Sequence, residues 1–307
     1  MSHENSASPR RITAKAHTML AAYLLWAFLL WPHVIWPFAL GPVLWSFDFI
    51  SLTAMTVIYS AIGNILPLMV YLLLRKQRPK AVLPPAPLGK KNALYIVVIE
   101  AAFMLVIVFL LLGHFGTIFD GMYIEPFEPL NIVESLVIPI IAFGLLTATF
   151  EELWYRGPMY SEYVRHGVSF WKIALVGGLL FGIVHSGTFQ VTYTFVSGVI
   201  MVVMLHYTRS IWAPILAHVA ANIMFVLFNP FNWINDYYVL HHVIGTWVLI
   251  LGIAALVMLP IGIWCLRRLV LDNPREKEPP AKETKLFTIG YWVLIGAMVA
   301  LGVIFSI

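Results

Sequence analysis

Charged side chains are scarce in this sequence. Asp, Glu, Lys and Arg make up 11% of 307 residues, against about 25% in an ordinary soluble domain. That scarcity excludes a water-soluble globule, because too little polar surface remains to cover one. Cysteine is almost missing. The single Cys265 excludes an internal disulfide and a cysteine-rich metal centre, and its place near the end of an apolar run suits a packing residue. No segment repeats another, which weakens an inverted-repeat transporter reading. His-Glu-x-x-His is absent, so a conventional helix-borne zinc protease is not supported. Residues 1–16 are polar, and the long Trp- and Pro-rich run after them offers no small-residue cleavage site. They read as the approach to a retained first span rather than a cleaved signal.

What the chain has is apolar length. Hydrophobic residues make up 61% and the mean hydropathy is +0.86, grouped in runs of about 18–24, the length a helix needs to cross ~30 Å of hydrocarbon. The expected fold is all-α, a polytopic transmembrane helical bundle. Its spans are expected near 17–40, 52–74, 93–112, 132–154, 168–187, 190–207, 210–229, 241–266 and 288–306. That is nine, or eight if the last is peripheral to the bundle. With a cytoplasmic N-terminus, all 19 Lys and Arg fall on inner segments. The outer loops near 41–51, 113–131, 187–190 and 230–240 hold none, and carry Asp48, Asp120, Glu125, Glu128 and Asp236 instead. Only the Lys/Arg bias carries topology, and a missed or invented span would break it. The pI near 9.1 is therefore a matter of orientation, not of nucleic-acid binding. Organisation follows as N-terminal spans with a basic linker (1–130), a membrane-embedded core (131–229) and C-terminal spans (230–307). The location expected is a multi-pass membrane protein, of the cell membrane if the source is prokaryotic. Connections 75–92 and 272–287 read as solvated linkers.

Three polar clusters interrupt the core. The first is Glu151-Glu152-Leu153-Trp154-Tyr155-Arg156, the second Phe181-Gly182-Ile183-Val184-His185, and the third His218-Val219-Ala220-Ala221-Asn222. An acid at the centre of a spanning helix costs about 2.5–3.5 kcal/mol on insertion scales and is functional by default. Glu152 and Arg156 stand four apart and share a face; Glu151 points about 100° away and is left for chemistry. Phe181 and His185, and His218 and Asn222, are likewise one turn apart, with Gly177, Gly178 and Gly182 permitting close helix approach. Bland readings stand beside each: an interfacial ion pair for the first cluster, interhelical hydrogen bonding for the imidazoles. The clusters reach one depth only if the fourth helix runs on past Glu151, kinked at Pro158, towards Arg165. Glu151 then lies ~21 Å from its inner end.

A carboxylate beside an imidazole can hold and deprotonate a water, and a second imidazole with an amide can stabilise an oxyanion. Those are the parts for hydrolysing a peptide bond without an acyl-enzyme. A metal-assisted assembly remains open, with Glu151, His185 and His218 as the ligands of a Zn²⁺ that keeps a position for water.

Taken in order on successive apolar helices, Glu-Glu-x-x-x-Arg, Phe-x-x-x-His and His-x-x-x-Asn resemble the CAAX-processing and bacteriocin-processing (CPBP) family of intramembrane proteases. The resemblance covers about residues 131–229. It implies that Glu151 activates water with His185, that His218 and Asn222 form the oxyanion site, and that Glu152, Arg156 and Phe181 support the geometry. Members are commonly called metalloproteases, although the fold is associated with a glutamate-dependent reaction without obligatory zinc; no cofactor is certain, and Zn is the one left open. The implied partners are the lipid bilayer and a membrane-associated peptide or protein substrate, CAAX-type and prenylated or of the bacteriocin leader type. A proton-coupled transporter using Glu151, Glu152 and Glu100, or a non-catalytic scaffold, are the alternatives.

Glu100, well inside the third expected span, belongs to none of these motifs. A structural role is expected; a place on the cavity wall, or neutralisation of Arg156 or another inner-face cation, are the readings open to it. Asn64 is expected to bond across helices, and His206 to lie near a span end.

Overall fold

The computed structural model describes residues 52–119, 136–165, 167–183, 185, 188–228 and 237–275, with Trp26, Ile35, Phe38 and Gly296. Apart from those four residues, the first and last expected spans lie outside the described residues. Among the described residues there is no strand, only an isolated bridge between Pro85 and Ser210. The all-α expectation holds, as it must where lipid leaves backbone groups no other partner.

In chain order the elements are α1 (Leu52–Leu74), the single turn α2 (Pro79–Val82), α3 (Lys90–Phe119), π1 (Ile140–Thr147), α4 (Ala148–Trp154), π2 (Tyr155–Met159), α5 (Tyr160–Arg165), α6 (Phe170–Ile183), α7 (Thr188–Thr208), α8 (Trp212–Phe228) and α9 (Tyr237–Asp272). Three described stretches are long and apolar enough to cross a membrane: Lys90–Gly113, Gln190–Thr208 and Gly245–Asp272. Ile62–Leu74, Phe170–Ile183 and Trp212–Phe228 are apolar but shorter. Leu73, Leu74, Leu94, Leu256 and Ile263 stand exposed, as side chains facing lipid do.

The expected run-on of the fourth helix is present. From Ile140 to Arg165 the chain stays helical, switching to π geometry before Glu151 and again around Pro158. Proline removes an N–H from the ladder, and a wider π turn accommodates that loss within a continuous helix; such turns recur at functional sites.

The described residues form two compact units, each considered by itself. The first contains α1, α2, the chain from Phe150 to Ile211 and Arg275; the second contains α3, π1, α8 and α9. In the first, α6 and α7 pack along their lengths, and glycine makes this possible. A Cβ on Gly198 would stand 2.9 Å from the Gly178 Cα, and one on Gly178 only 2.5 Å from Val199 Cγ2. Around this pair a core gathers from Leu68, Tyr71, Trp154, Tyr155, Phe181 and Leu205. The linker after α1 is not loose. α1 ends with Lys76 in left-handed conformation (φ 50°) and Gln77 N–H donating to Leu72 O at 3.0 Å, a Schellman closure. Val82 is then fully buried, Leu83 fills the space beside Gly157, and Ile211 N–H donates to Pro84 O at 2.9 Å.

The second unit is built on α3. It packs antiparallel to α9, where Ala102 meets Gly262 and Phe109 meets Gly252. At the ends Tyr95 OH donates to Asp272 Oδ2 at 3.2 Å, and Asn92 and Asn273 exchange amide bonds at 3.1 Å. α8 packs on both α3 and π1.

Candidate active site

In the first unit the paired acids have separate fates. Glu152 is fully buried, and its Oε1 accepts from Arg156 Nη1 at 2.9 Å. The guanidinium is just as buried. It donates from Nη2 to Gly198 O at 3.3 Å and lies over the Phe181 ring at 4.5 Å and the Tyr155 ring at 5.6 Å. A charge removed from water needs both a counter-charge and hydrogen bonds, and Arg156 has both. Glu152 is thus the counter-charge of Arg156. Glu151, next in sequence, is rotated about 100° around the helix and is only partly buried.

His185 follows the end of α6. Its Nδ1 is 2.7 Å from Phe181 O, and its ring meets the Phe181 ring edge-on at 4.8 Å. A carbonyl oxygen only accepts, so Nδ1 carries the hydrogen and Nε2 is the nitrogen that takes up a proton. Phe181 therefore does two things: its ring supports Arg156 and its carbonyl sets the tautomer of His185.

In the second unit His218 and Asn222 lie one turn apart on α8, both buried. Asn222 Nδ2 donates to Phe143 O of π1 at 3.0 Å. This fixes the plane of the amide and leaves its second N–H as a donor. A Cβ on Gly144 would stand 2.9 Å from Ile223 Cγ1, so glycine is what lets π1 come close enough for that bond.

The donors in each unit bear on a metal. Glu152 is paired with Arg156, Glu151 and His185 belong to the first unit, and His218 belongs to the second. Neither unit gathers three His, Cys, Asp or Glu side chains among its described residues, short of the three protein ligands of catalytic zinc.

Two clusters had no signal in the sequence. Glu162 of α5, buried, accepts from Tyr71 OH at 2.7 Å, Arg75 Nη2 at 2.8 Å and Arg165 Nη1 at 3.2 Å. Burial alone would push its carboxyl up, but the bonds from Tyr71 and Arg75 and the charges of Arg75 and Arg165 outweigh it, and the pKa falls below the ordinary value. His206, expected only as a span-end residue, stacks on Phe170 at 4.0 Å with Tyr160 OH 3.2 Å from Nδ1. Apart from Arg165, which is three residues from Glu162, both clusters join residues far apart in sequence, which spacing cannot reveal.

Residues 133–224 match the family model described as type II CAAX prenyl endopeptidase Rce1-like. The match takes in all three polar clusters and less than a third of the chain. No curated protein and no solved structure matches the chain. With three described stretches long and apolar enough to cross a bilayer, the protein is integral to a membrane.

Proposed function

We propose, from the premise that residues 133–224 form a Rce1-like domain, that the protein is an intramembrane endopeptidase. It hydrolyses a peptide bond of a membrane-associated substrate near the cytoplasmic face, with a water activated by Glu151. The observation that carries this reading is the division of labour between adjacent acids: Arg156 holds Glu152 in a buried ion pair, while Glu151 is turned off that face. A purely structural ion pair needs one acid, not two.

In the reaction the Glu151 carboxylate takes a proton from water as the oxygen attacks the scissile carbonyl carbon. His185, its Nδ1 hydrogen held by Phe181 O, accepts a hydrogen bond from the same water at Nε2 and orients it. The carbonyl oxygen becomes an oxyanion and takes hydrogen bonds from His218 and the second Asn222 N–H; such donors are worth about 10²–10³ in rate each. Collapse of the intermediate expels the amine, which takes the proton from Glu151, so proton and charge balance at each turnover. The substrate class favoured is a CAAX-type or leader-type segment delivered from the bilayer.

The test compares peptide termini in membranes containing wild-type protein or Glu151→Gln at matched levels, with both shown to be folded by thermal unfolding. New termini with the wild type alone are expected. Full cleavage by a folded Glu151→Gln protein sinks the mechanism. Proton flux in liposomes that depends on Glu151, without proteolysis, would establish a carrier instead.

A further inference from the structure

Arg275, in the chain beyond α9, belongs to the first unit and is half-buried there. A guanidinium carries five N–H donors. Among the described residues Arg275 meets one acceptor: its Nη2 stands 3.5 Å from His206 Nδ1, the outer limit of a hydrogen bond, and its buried Nε meets none. The acids described in this unit are Glu151, Glu152 and Glu162. Glu152 holds Arg156, and Glu162 holds Arg75 and Arg165. Glu151 lies nine residues before Tyr160 on the same helix, ~13 Å away along its axis. Arg275 thus lacks the counter-charge that burial calls for.

The wall behind it is aromatic. His206, buried at the end of α7, stacks on Phe170 at 4.0 Å and meets Tyr207 edge-on at 5.1 Å. Tyr160 OH, buried as well, stands 3.2 Å from the same Nδ1. Phe170 lies against Trp171 at 4.8 Å; Trp171 is 63% exposed, and Lys172 beside it is exposed too. A second cation comes from Arg209, exposed and three residues past His206, and its charge, like that of Arg275, acts on the His206 ring. Arg209 holds φ 56°, left-handed backbone that glycine adopts without strain and arginine does not. The stretch Gln190–Thr208 is long and apolar enough to cross a membrane, so these residues stand where a crossing ends, at the level of lipid headgroups. Exposed Trp belongs to that level. Cations at a helix end also suit its last carbonyls, but among the described residues Arg275 donates to none of them.

We infer that Arg275 and Arg209 bind the phosphate of an anionic phospholipid headgroup, against the wall made by His206, Phe170 and Tyr160. A phosphodiester supplies both the counter-charge and the acceptors that the guanidinium lacks, and the planar fork of arginine matches phosphate geometry. Depth selects the lipid as its source. A phosphate held at the end of a crossing helix, beside an exposed Trp, already lies in the headgroup layer, where basic pockets between helices take anionic headgroups. Tyr160 begins α5, directly after π2, so occupancy adds to the stability of the helix that bears Glu151.

The test uses the full chain, purified in detergent and stripped of lipid, titrated with dioleoylphosphatidylglycerol and followed by native mass spectrometry and thermal unfolding. Dioleoylphosphatidylcholine and inorganic phosphate are the comparisons. Phosphatidylglycerol is expected to bind and raise the unfolding temperature, with phosphatidylcholine about tenfold weaker and inorganic phosphate without effect at equal concentration. Arg275→Gln should weaken the binding about 5–10-fold, as should Arg209→Gly. The second variant also removes backbone strain, so without lipid it should unfold no lower than wild type, which separates lost binding from lost folding. Lys80→Gln, at an exposed cation of the same unit, should change affinity less than about twofold. Equal affinity for the two lipids overturns the inference. So does an equal loss in Lys80→Gln, which would mean diffuse attraction to a basic surface. A full thermal shift with inorganic phosphate overturns the lipid assignment in favour of a soluble anion. No substrate enters, so failure of the protease reading leaves the result untouched.

Discussion

Arg156 does more than neutralise a neighbour. One guanidinium binds Glu152, a carbonyl of α7 and the face of Phe181, and Phe181 in turn sets His185. Removing it leaves a buried carboxylate without its counter-charge, which costs about 3–5 kcal/mol. Arg156→Ala should therefore unfold at markedly lower temperature in detergent, and a melting curve matching wild type would refute the role. Arg156→Lys keeps the charge but not the planar fork, and should recover part of the stability and little of the activity. Spacing alone revealed the Glu152–Arg156 pair and the Phe181–His185 pair, because both are one helical turn long. Spacing offers only Arg165 as a partner of Glu162; Tyr71 of α1 and Arg75 just past its end are far away in sequence.

At the scale of elements, the close packing of α6 on α7 is what brings the Gly198 carbonyl to Arg156. A methyl group at Gly198 meets Gly178 Cα at 2.9 Å and Phe181 Cβ at 3.2 Å, so Gly198→Ala forces the helices apart. The expected cost is about 1–3 kcal/mol, together with loss of proteolysis. Gly113 has nothing within 4 Å of such a methyl, and Gly113→Ala should be neutral or stabilising by helix propensity. Equal effects at the two sites would show that the glycines serve no packing role. The run of glycines suggested this contact in the sequence; the π turns on either side of Glu151 did not announce themselves, since hydrophobic period does not distinguish a π turn from an α turn over so few residues.

The Glu162 cluster ties the end of α1 to α5 and makes the first unit sensitive to acid. Its folded-state pKa is below the unfolded value, so its stabilisation is fully present above about pH 4.5 and is lost as pH falls through the lower folded value. Glu162→Gln should flatten the acid limb of stability while leaving the slope nearer neutrality unchanged; an acid limb identical to wild type would remove the cluster from the account.

For the whole molecule, the partition of Lys and Arg predicts nine crossings with both 75–92 and 272–287 on the cytoplasmic side. Cys265 is the one native thiol and is buried, so single cysteines report cleanly in a Cys265→Ala background. Lys80→Cys should react with an impermeant maleimide only when the cytoplasmic face is open to it, and Asp120→Cys only from the opposite face. Labelling of both from one side would overturn the topology. Composition and run length were enough for the all-α membrane fold. They did not show how the polar linker is held, because its anchors, Val82, Leu83 and Pro84, are apolar side chains and a backbone carbonyl.

The bond from Tyr71 to Glu162 also has a place in time. The two residues are 91 apart in the chain, and a ribosome adding ~5–20 residues per second needs ~5–20 s to supply the acid after the phenol. Throughout that interval α1 is already made while the carboxylate that will receive Tyr71 and Arg75 does not yet exist. The end of α1 that bears Tyr71 therefore acquires this acceptor only when the helix bearing Glu151 has been completed. Completion of the helix that carries Glu151 and anchoring of α1 are thus one event in the biosynthesis of the protein.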